Sequence, residues 1–190
     1  MAELTPLAIS VLALLEERPM HAYEMYQLLI SRKQDRMVKV RPGSLYHTVE
    51  RLAGQNYLRA TGTERAGNRP ERTTYEITPE GSAALTERVE TAIETFTYEF
   101  PLFPVVLSEA HNLEADDAVL RVRRRIAQIE ELLAELDASL EAARQKGVPE
   151  VFWIGGSYIR HQLATEREWL TTFTDRIESK DLEWQPRDKK

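Results

Sequence analysis

The sequence predicts a mainly α-helical protein with one small β-hairpin, made of a compact amino-terminal domain and a carboxyl-terminal helical domain. Three observations predict this. Apolar residues recur at spacings of three and four over most of the 190 residues. Only the stretch 57–78 alternates like two strands around a cluster of turn formers. An aromatic segment broken by Pro101 and Pro104 separates two helical patterns that differ in charge.

The elements follow in order. Thr5-Pro6 is a helix start, with a hydroxyl to cap and a proline where no N–H is needed. Pro6 to Glu17 is apolar almost all round and predicts a buried helix, ended by Arg18-Pro19. A second helix spans about His21 to Arg32, with Ala22, Met25, Tyr26 and Leu29 inward. The third, Ser44 to Gln55, turns Leu45, Val49 and Leu52 to the core. Gly43 gives the chain freedom to turn there, and Ser44 is placed to cap. Tyr57 to Thr63 and Arg72 to Thr78 read as strands, with "ERAGNRPE" as the hairpin tip. Thr78-Pro79 repeats the capping signal and opens a fourth helix to about Glu99.

The carboxyl half is more regular. Val119, Val122, Ile126, Ile129, Leu133, Leu136, Leu140 and Ala143 alternate spacings of three and four without a slip, a heptad seam. Lys146-Gly147 ends it. A last helix, about Glu150 to Ser179, carries Phe152, Ile159, Leu163, Leu170, Phe173 and Ile177. Gly155-Gly156 inside that pattern marks a close helix–helix contact rather than an anion site. The expected domains are 1–90, a junction at 91–112, a helical domain at 113–180 and a frayed tail at 181–190.

Composition bounds the function. Hydrophobic residues make up 42% of the chain, enough for a core, and cysteine is absent, so there is no disulfide framework or thiolate chemistry. No apolar run approaches the roughly 20 residues of a membrane span, and no secretory leader is evident. A cytoplasmic protein without membrane contact is expected. The net charge of −6 is unevenly spread. Residues 1–88 hold 12 basic and 11 acidic side chains, residues 89–190 hold 13 and 20, and the window 32–72 holds 10 and 4. A local basic field on an acidic protein still faces phosphates.

Helix, helix, helix, strand, strand is the order of a winged helix-turn-helix, whose third helix enters the major groove of double-stranded DNA. The exposed face of that helix carries Ser44, Tyr46, His47 and Arg51, with Lys39 and Arg41 before it and Arg69 and Arg72 in the wing. Ser44 and Tyr46 suit phosphate oxygens, while His47 and Arg51 are long enough to reach bases. Taken singly, Tyr46 also suits packing against Tyr23 or Tyr26, and His47 an ordinary surface position. The seam Val119 to Leu140, with Leu163, Trp169, Leu170 and Phe173, is expected to support a homodimer, against its own last helix, a partner chain, or both. Phe96, Phe100 and Phe103 are candidates for a pocket taking a small aromatic or apolar effector, although such clusters serve more often as core or interface. No phosphate loop, nucleotide fingerprint or nucleophile elbow is present, and the four histidines show no ligand spacing, so neither an enzyme nor a metal or other cofactor is expected. A winged-helix adaptor that binds an acidic protein is the alternative.

Three stretches, "MHAYEMYQLL", "RPGSLYHTVERLAGQNYL" and "RPERTTYEITPEGSAAL", resemble the PadR family of transcriptional regulators over roughly residues 5–90. "YIRHQLATEREWL", with Trp169-Leu170, is similar to the helical dimerisation domain of its longer members. The resemblance implies a winged-helix dimer that represses promoters at an inverted-repeat operator and is often released by a small molecule. Ala22 stands where the family usually has glycine. Glu71, Thr73 and Thr74 interrupt the family's basic wing run, leaving Arg69 and Arg72. Trp153, Trp169 and Trp184 all lie in the carboxyl half, so the tryptophan clamp of short members does not carry over.

Overall fold

A computed structural model describes residues 3–64 and 72–185. The chain forms two compact units, Met1–Tyr98 and Glu99–Lys190.

The first unit runs α1 (Pro6–Glu17), β1 (Met20–His21), α2 (Ala22–Ser31), a 3-10 turn (Gln34–Arg36), α3 (Pro42–Gly54), β2 (Leu58–Glu64), β3 (Arg72–Ile77) and α4 (Pro79–Glu94). Both Thr-Pro signals act as expected. The Thr5 hydroxyl accepts the N–H of Ala8 at 3.3 Å, and that of Thr78 accepts Gly81 at 3.1 Å. Val11 and Leu12 of α1, Met25 and Leu29 of α2, and Leu45, Val49 and Leu52 of α3 meet in one buried cluster. Each such side chain contributes roughly 1.5–3 kcal/mol by leaving water.

The sheet has three strands rather than two, in the order β1-β3-β2. Met20 pairs with Tyr75 and His21 with Thr74. Two residues cannot show alternation, so β1 has no periodic signature; the ladder of β3 and the burial of Met20 create it. Between β2 and β3 the register shifts at Ala60/Gly62, which leaves Thr61 as a bulge.

The third helix begins two residues before the expected start. Arg41 is extended, as suits a residue before proline, and Pro42 opens the helix. Ser44 is therefore inside the first turn and does not cap; its carbonyl accepts the Thr48 hydroxyl at 2.8 Å. Gly43 is helical and needs no positive φ. At the other end Asn56 takes a left-handed φ of 60°, and the N–H groups of Asn56 and Tyr57 close on the carbonyls of Ala53 and Leu52, a Schellman cap. That cap also receives α4. Thr78 donates its hydroxyl to the Asn56 carbonyl at 2.7 Å, and its N–H bonds the Tyr57 carbonyl at 3.0 Å. A Cβ on Gly81 would lie 2.2 Å from that same Tyr57 oxygen. The Thr78-Pro79-Glu80-Gly81 string thus docks the start of α4 on the end of α3.

Helix α4 stops at Glu94, five residues short of the expected end. Thr95 is already extended, and Phe100 has a φ of 46° before Pro101. A proline disfavours helical backbone in the residue before it.

The second unit comprises α5 (Leu102–Ser108), a 3-10 turn (Ala110–Asn112), α6 (Ala115–Gln145), a second 3-10 turn (Glu150–Phe152) and α7 (Ile154–Glu178). Helix α5 was hidden by its prolines. Pro101 is its cap and Pro104 sits in the first turn, where N–H groups have no helical partner. Gly147, at φ 68°, ends α6 as expected. Helices α6 and α7 run antiparallel, since Arg123 pairs with Glu178 and Asp137 with Arg160. The seam packs on the chain's own last helix: Val122, Ile129 and Leu133 enclose Leu170, flanked by Ile126, Leu163, Phe173 and Phe103. Val119 and Leu136 are buried too, and Leu140 and Ala143 are half-buried. Leu140 lies 3.4 Å from where Gly156 would carry a Cβ, so the small residue does mark a close approach. Phe152 is a correction. It belongs to the 3-10 turn before α7 rather than to the last helix, and is 78% exposed. Residues 181–185, expected to fray, turn back. Leu182 bonds the Arg176 carbonyl, and the Trp184 indole donates to the Leu113 carbonyl at 3.0 Å. No helix among the described residues is long and apolar enough to cross a membrane.

Candidate nucleic-acid interface

Helix α3 has two unlike faces. Leu45, Thr48, Val49 and Leu52 are buried, and Ser44, Tyr46, His47 and Glu50 are exposed. The buried face anchors the helix on α1 and α2, so the outer face is held without using any of its own side chains. His47 is 85% exposed along its side chain, and its Nδ1 lies 3.6 Å from a carboxylate oxygen of Glu50. Tyr46 is 46% exposed and so belongs to the surface rather than to the core. Arg51 is half-buried and donates to the Gln55 side chain at 3.3 Å.

The amino end of α3 differs from those of α1 and α4. Those are capped by threonine hydroxyls, whereas α3 has no side-chain cap; like α1, and unlike α4 with Glu80, it has no acidic residue in its first turn. Its first N–H groups, at the positive end of the helix dipole, meet solvent beside Arg41 and Ser44. That arrangement suits an anion such as a phosphate. Lys39 and Arg41, both exposed, lie in the segment leading into it.

Not all of the basic window serves this face. Arg32 is engaged by Glu17, with one contact of 2.8 Å, and Arg59 pairs with Glu76. Arg69 lies outside the described residues, and Arg72 is placed only by its backbone at the start of β3. Glu50 was missed in the sequence. It stands a turn from His47, and an acidic side chain among phosphate ligands runs against the expected charge. Its signal was the i,i+3 spacing from a histidine. Among the described residues no group of histidines and carboxylates is arranged to hold a metal.

The expected effector residues differ in exposure. Phe96 and Phe100 are 88% and 83% exposed. Phe103 packs under the Arg125 guanidinium, 3.6 Å from its ring centroid, and Arg125 is held in turn by Glu166. Of the expected dimer residues, Trp169 is 50% exposed and stacks on Phe173 at 5.3 Å, while Leu170 is fully buried within the chain.

Residues 11–87 match a family described as the transcriptional regulator PadR-like family. Among solved structures, the chain is similar to Bacillus subtilis PadR in complex with operator DNA, at 14% identity and a TM-score of 0.75, covering 91% of this chain and 99% of that one. It is similar to the same protein in complex with p-coumaric acid, at 13% identity and a TM-score of 0.71, covering 90% and 98%. It is similar to the PadR-like transcriptional regulator BC1756 from Bacillus cereus, at 17% identity and a TM-score of 0.64, covering 90% and 94%. No curated relative matches the chain.

Proposed function

We propose, for a chain that carries a PadR-like transcriptional-regulator domain over residues 11–87, that it is a dimeric, non-enzymatic DNA-binding repressor acting at an inverted-repeat operator. The carrying observation is α3: one face buried, the other exposed, and an uncapped amino end free of acidic residues. Ser44, Tyr46 and the first N–H groups hold the backbone, with Lys39 and Arg41 adding charge. His47 and Arg51 face the bases, and Glu50 beside them suits the amino group of a cytosine. Arg69 and Arg72 supply the wing's contacts. Two such helices in a two-fold dimer require half-sites about one DNA turn apart, which is why the operator repeats inversely.

The dimer uses what the chain leaves exposed in its second unit. The seam from Val122 to Leu133 is occupied by α7 of the same chain. Leu102, Val105 and Val106 on α5, and Val151, Phe152 and Ile154 around the start of α7, remain exposed. A small aromatic effector is the expected signal, in keeping with the p-coumaric acid complex of the Bacillus subtilis protein.

The test is binding to the DNA upstream of the chain's own gene against random DNA, by fluorescence anisotropy. With about six phosphate contacts, affinity falls roughly 10³-fold between 50 and 200 mM salt. Tyr46→Phe weakens both DNAs by similar factors. Arg51→Ala narrows the gap between them, by about 1–3 kcal/mol at one base pair. Binding that ignores salt and sequence would favour the protein-adaptor reading instead.

A further inference from the structure

We propose that the second unit contains a binding site for a small aromatic compound that carries a hydrogen-bond donor and no carboxylate, such as a phenol or an aromatic amine. It is a candidate effector site only if the regulator reading holds; as a binding site it stands on its own geometry.

The site is a cavity of about 330 Å³. It lies between the end of α5, the 3-10 turn after it, and the hook that follows α7. This volume falls at the lower end of the range of small-molecule pockets, ~300–1,000 Å³. Leu107, Leu182 and the rings of Phe173 and Trp184 line it. The two rings sit 6.2 Å apart at 58°, so they form a corner rather than a stack. Neither ring is free to fold in and fill the space. Trp184 is tied by its indole N–H to the Leu113 carbonyl, and Phe173 is stacked on Trp169. The hook itself is pinned where Leu182 bonds the Arg176 carbonyl at 2.9 Å.

The polar groups choose the ligand. His111 lines the cavity, and its Nδ1 lies 3.1 Å from the Ser108 carbonyl. A carbonyl only accepts, so Nδ1 carries the hydrogen, and in the neutral ring Nε2 is an acceptor. It has no partner among the described residues. Glu183 lines the cavity as well; one of its oxygens accepts the Gln185 amide at 3.0 Å, and a carboxylate has further acceptor sites. The Gln185 amide, which also lines the cavity, is engaged in donating to Glu183, so the two acceptors over an aromatic corner call for a flat donor. An aromatic carboxylate would face the like charge of the Glu183 carboxylate.

Saturation-transfer NMR on the full chain with p-cresol, tyramine and p-coumaric acid tests this. The expected result is binding of p-cresol and tyramine, with p-coumaric acid at least tenfold weaker. Trp184→Ala lowers the affinity for both binders at least tenfold. His111→Leu, which keeps an apolar wall and removes the acceptor, does the same and covers the case in which the tryptophan variant misfolds. Failure of both probes to bind the wild type overturns the inference, as does unchanged binding in a folded His111→Leu, or tighter binding of p-coumaric acid. DNA binding measured without any probe separates the two readings. DNA bound and no probe bound sinks the pocket alone, whereas probe bound and no DNA bound sinks the regulator and leaves the pocket.

Discussion

The first unit surrounds its core, and the second lines one side of its own. In Met1–Tyr98, four helices and a three-stranded sheet close around a single cluster, in which Val11, Leu12, Met25, Leu29, Leu45 and Leu52 are sealed from water. Its helices are short, between 10 and 16 residues; threonine caps start α1 and α4, and a Schellman cap ends α3. In Glu99–Lys190 two long helices bury a stripe around Leu170, and much apolar surface stays in water, including Leu102, Val105, Phe152 and Ile154. A helical hairpin offers each helix a single covered face, so a seam of apolar residues suffices to zip it but not to enclose it. The difference teaches where each unit's task lies. The first encloses its core, leaving Ile93 and Phe96 near its end exposed, and turns a polar, partly basic helix outward. The second is stable along its seam yet leaves an apolar surface of the kind that marks an interaction site.

Four changes would break or sharpen this contrast. The largest is Leu170→Ala. Leu170 is the fully buried centre of the second unit's small cluster, and its loss costs about 4 kcal/mol. Thermal melting followed by circular dichroism should show the second unit unfolding early while the first keeps its own transition. A single cooperative transition would mean that the units do not fold independently.

Gly81→Ala strikes the first unit in the same way. The added Cβ meets the Tyr57 backbone oxygen at 2.2 Å, and neither group is the end of a flexible side chain. The expected loss is about 3 kcal/mol in urea denaturation. A near-neutral result would show that α4 shifts freely on α3.

Phe152→Ser has a different signature. At 78% exposure its removal changes the stability of one chain by no more than about 0.5 kcal/mol. If the exposed apolar surface seats a second copy, analytical ultracentrifugation will show dimer giving way to monomer. An unchanged dimer would move the contact away from the start of α7.

The smallest effect is electrostatic. The Arg32 side chain, hydrogen-bonded to Glu17, holds that carboxyl below its ordinary value of 4.5. A carboxyl with a lowered folded pKa stabilises the fold above its unfolded pKa and loses that effect as pH falls through the folded value. The pair is largely exposed, so the effect is about 0.5 kcal/mol. Denaturation of wild type and Glu17→Gln should differ at pH 6, begin to approach each other as the pH falls below about 4.5, and converge only beneath the lower folded value. A difference that persists at low pH would assign the effect to packing.

Much of the fold was legible because it is written in local chemistry. Thr5-Pro6 and Thr78-Pro79 start helices through a hydroxyl three residues from an N–H, a contact that needs no tertiary partner. The periods of α1, α3, α6 and most of α7 mark their buried faces directly. The same holds for the candidate site: Ser44, Tyr46 and His47 are exposed because Leu45, Thr48 and Val49 are not.

Other features were decided only when distant residues met. Strand β1 is two residues long and exists through its pairing with Tyr75 and Thr74. Helix α5 is seven residues long with a proline in its first turn, too short to nucleate alone, and Phe103 anchors it beneath Arg125. A heptad seam states that a partner exists and is silent on whose chain supplies it. Leu170, 0% exposed against Val122, Ile129 and Leu133, makes the partner the same chain. The aromatic corner of Phe173, Trp184 and His111 had no sequence signal at all. Those residues lie as many as 73 positions apart, between His111 and Trp184, and only the backward turn after α7 brings them together. Periodicity and capping act over one or two helical turns, so the sequence determines the faces and most of the ends of its helices; which face meets which is a matter of packing.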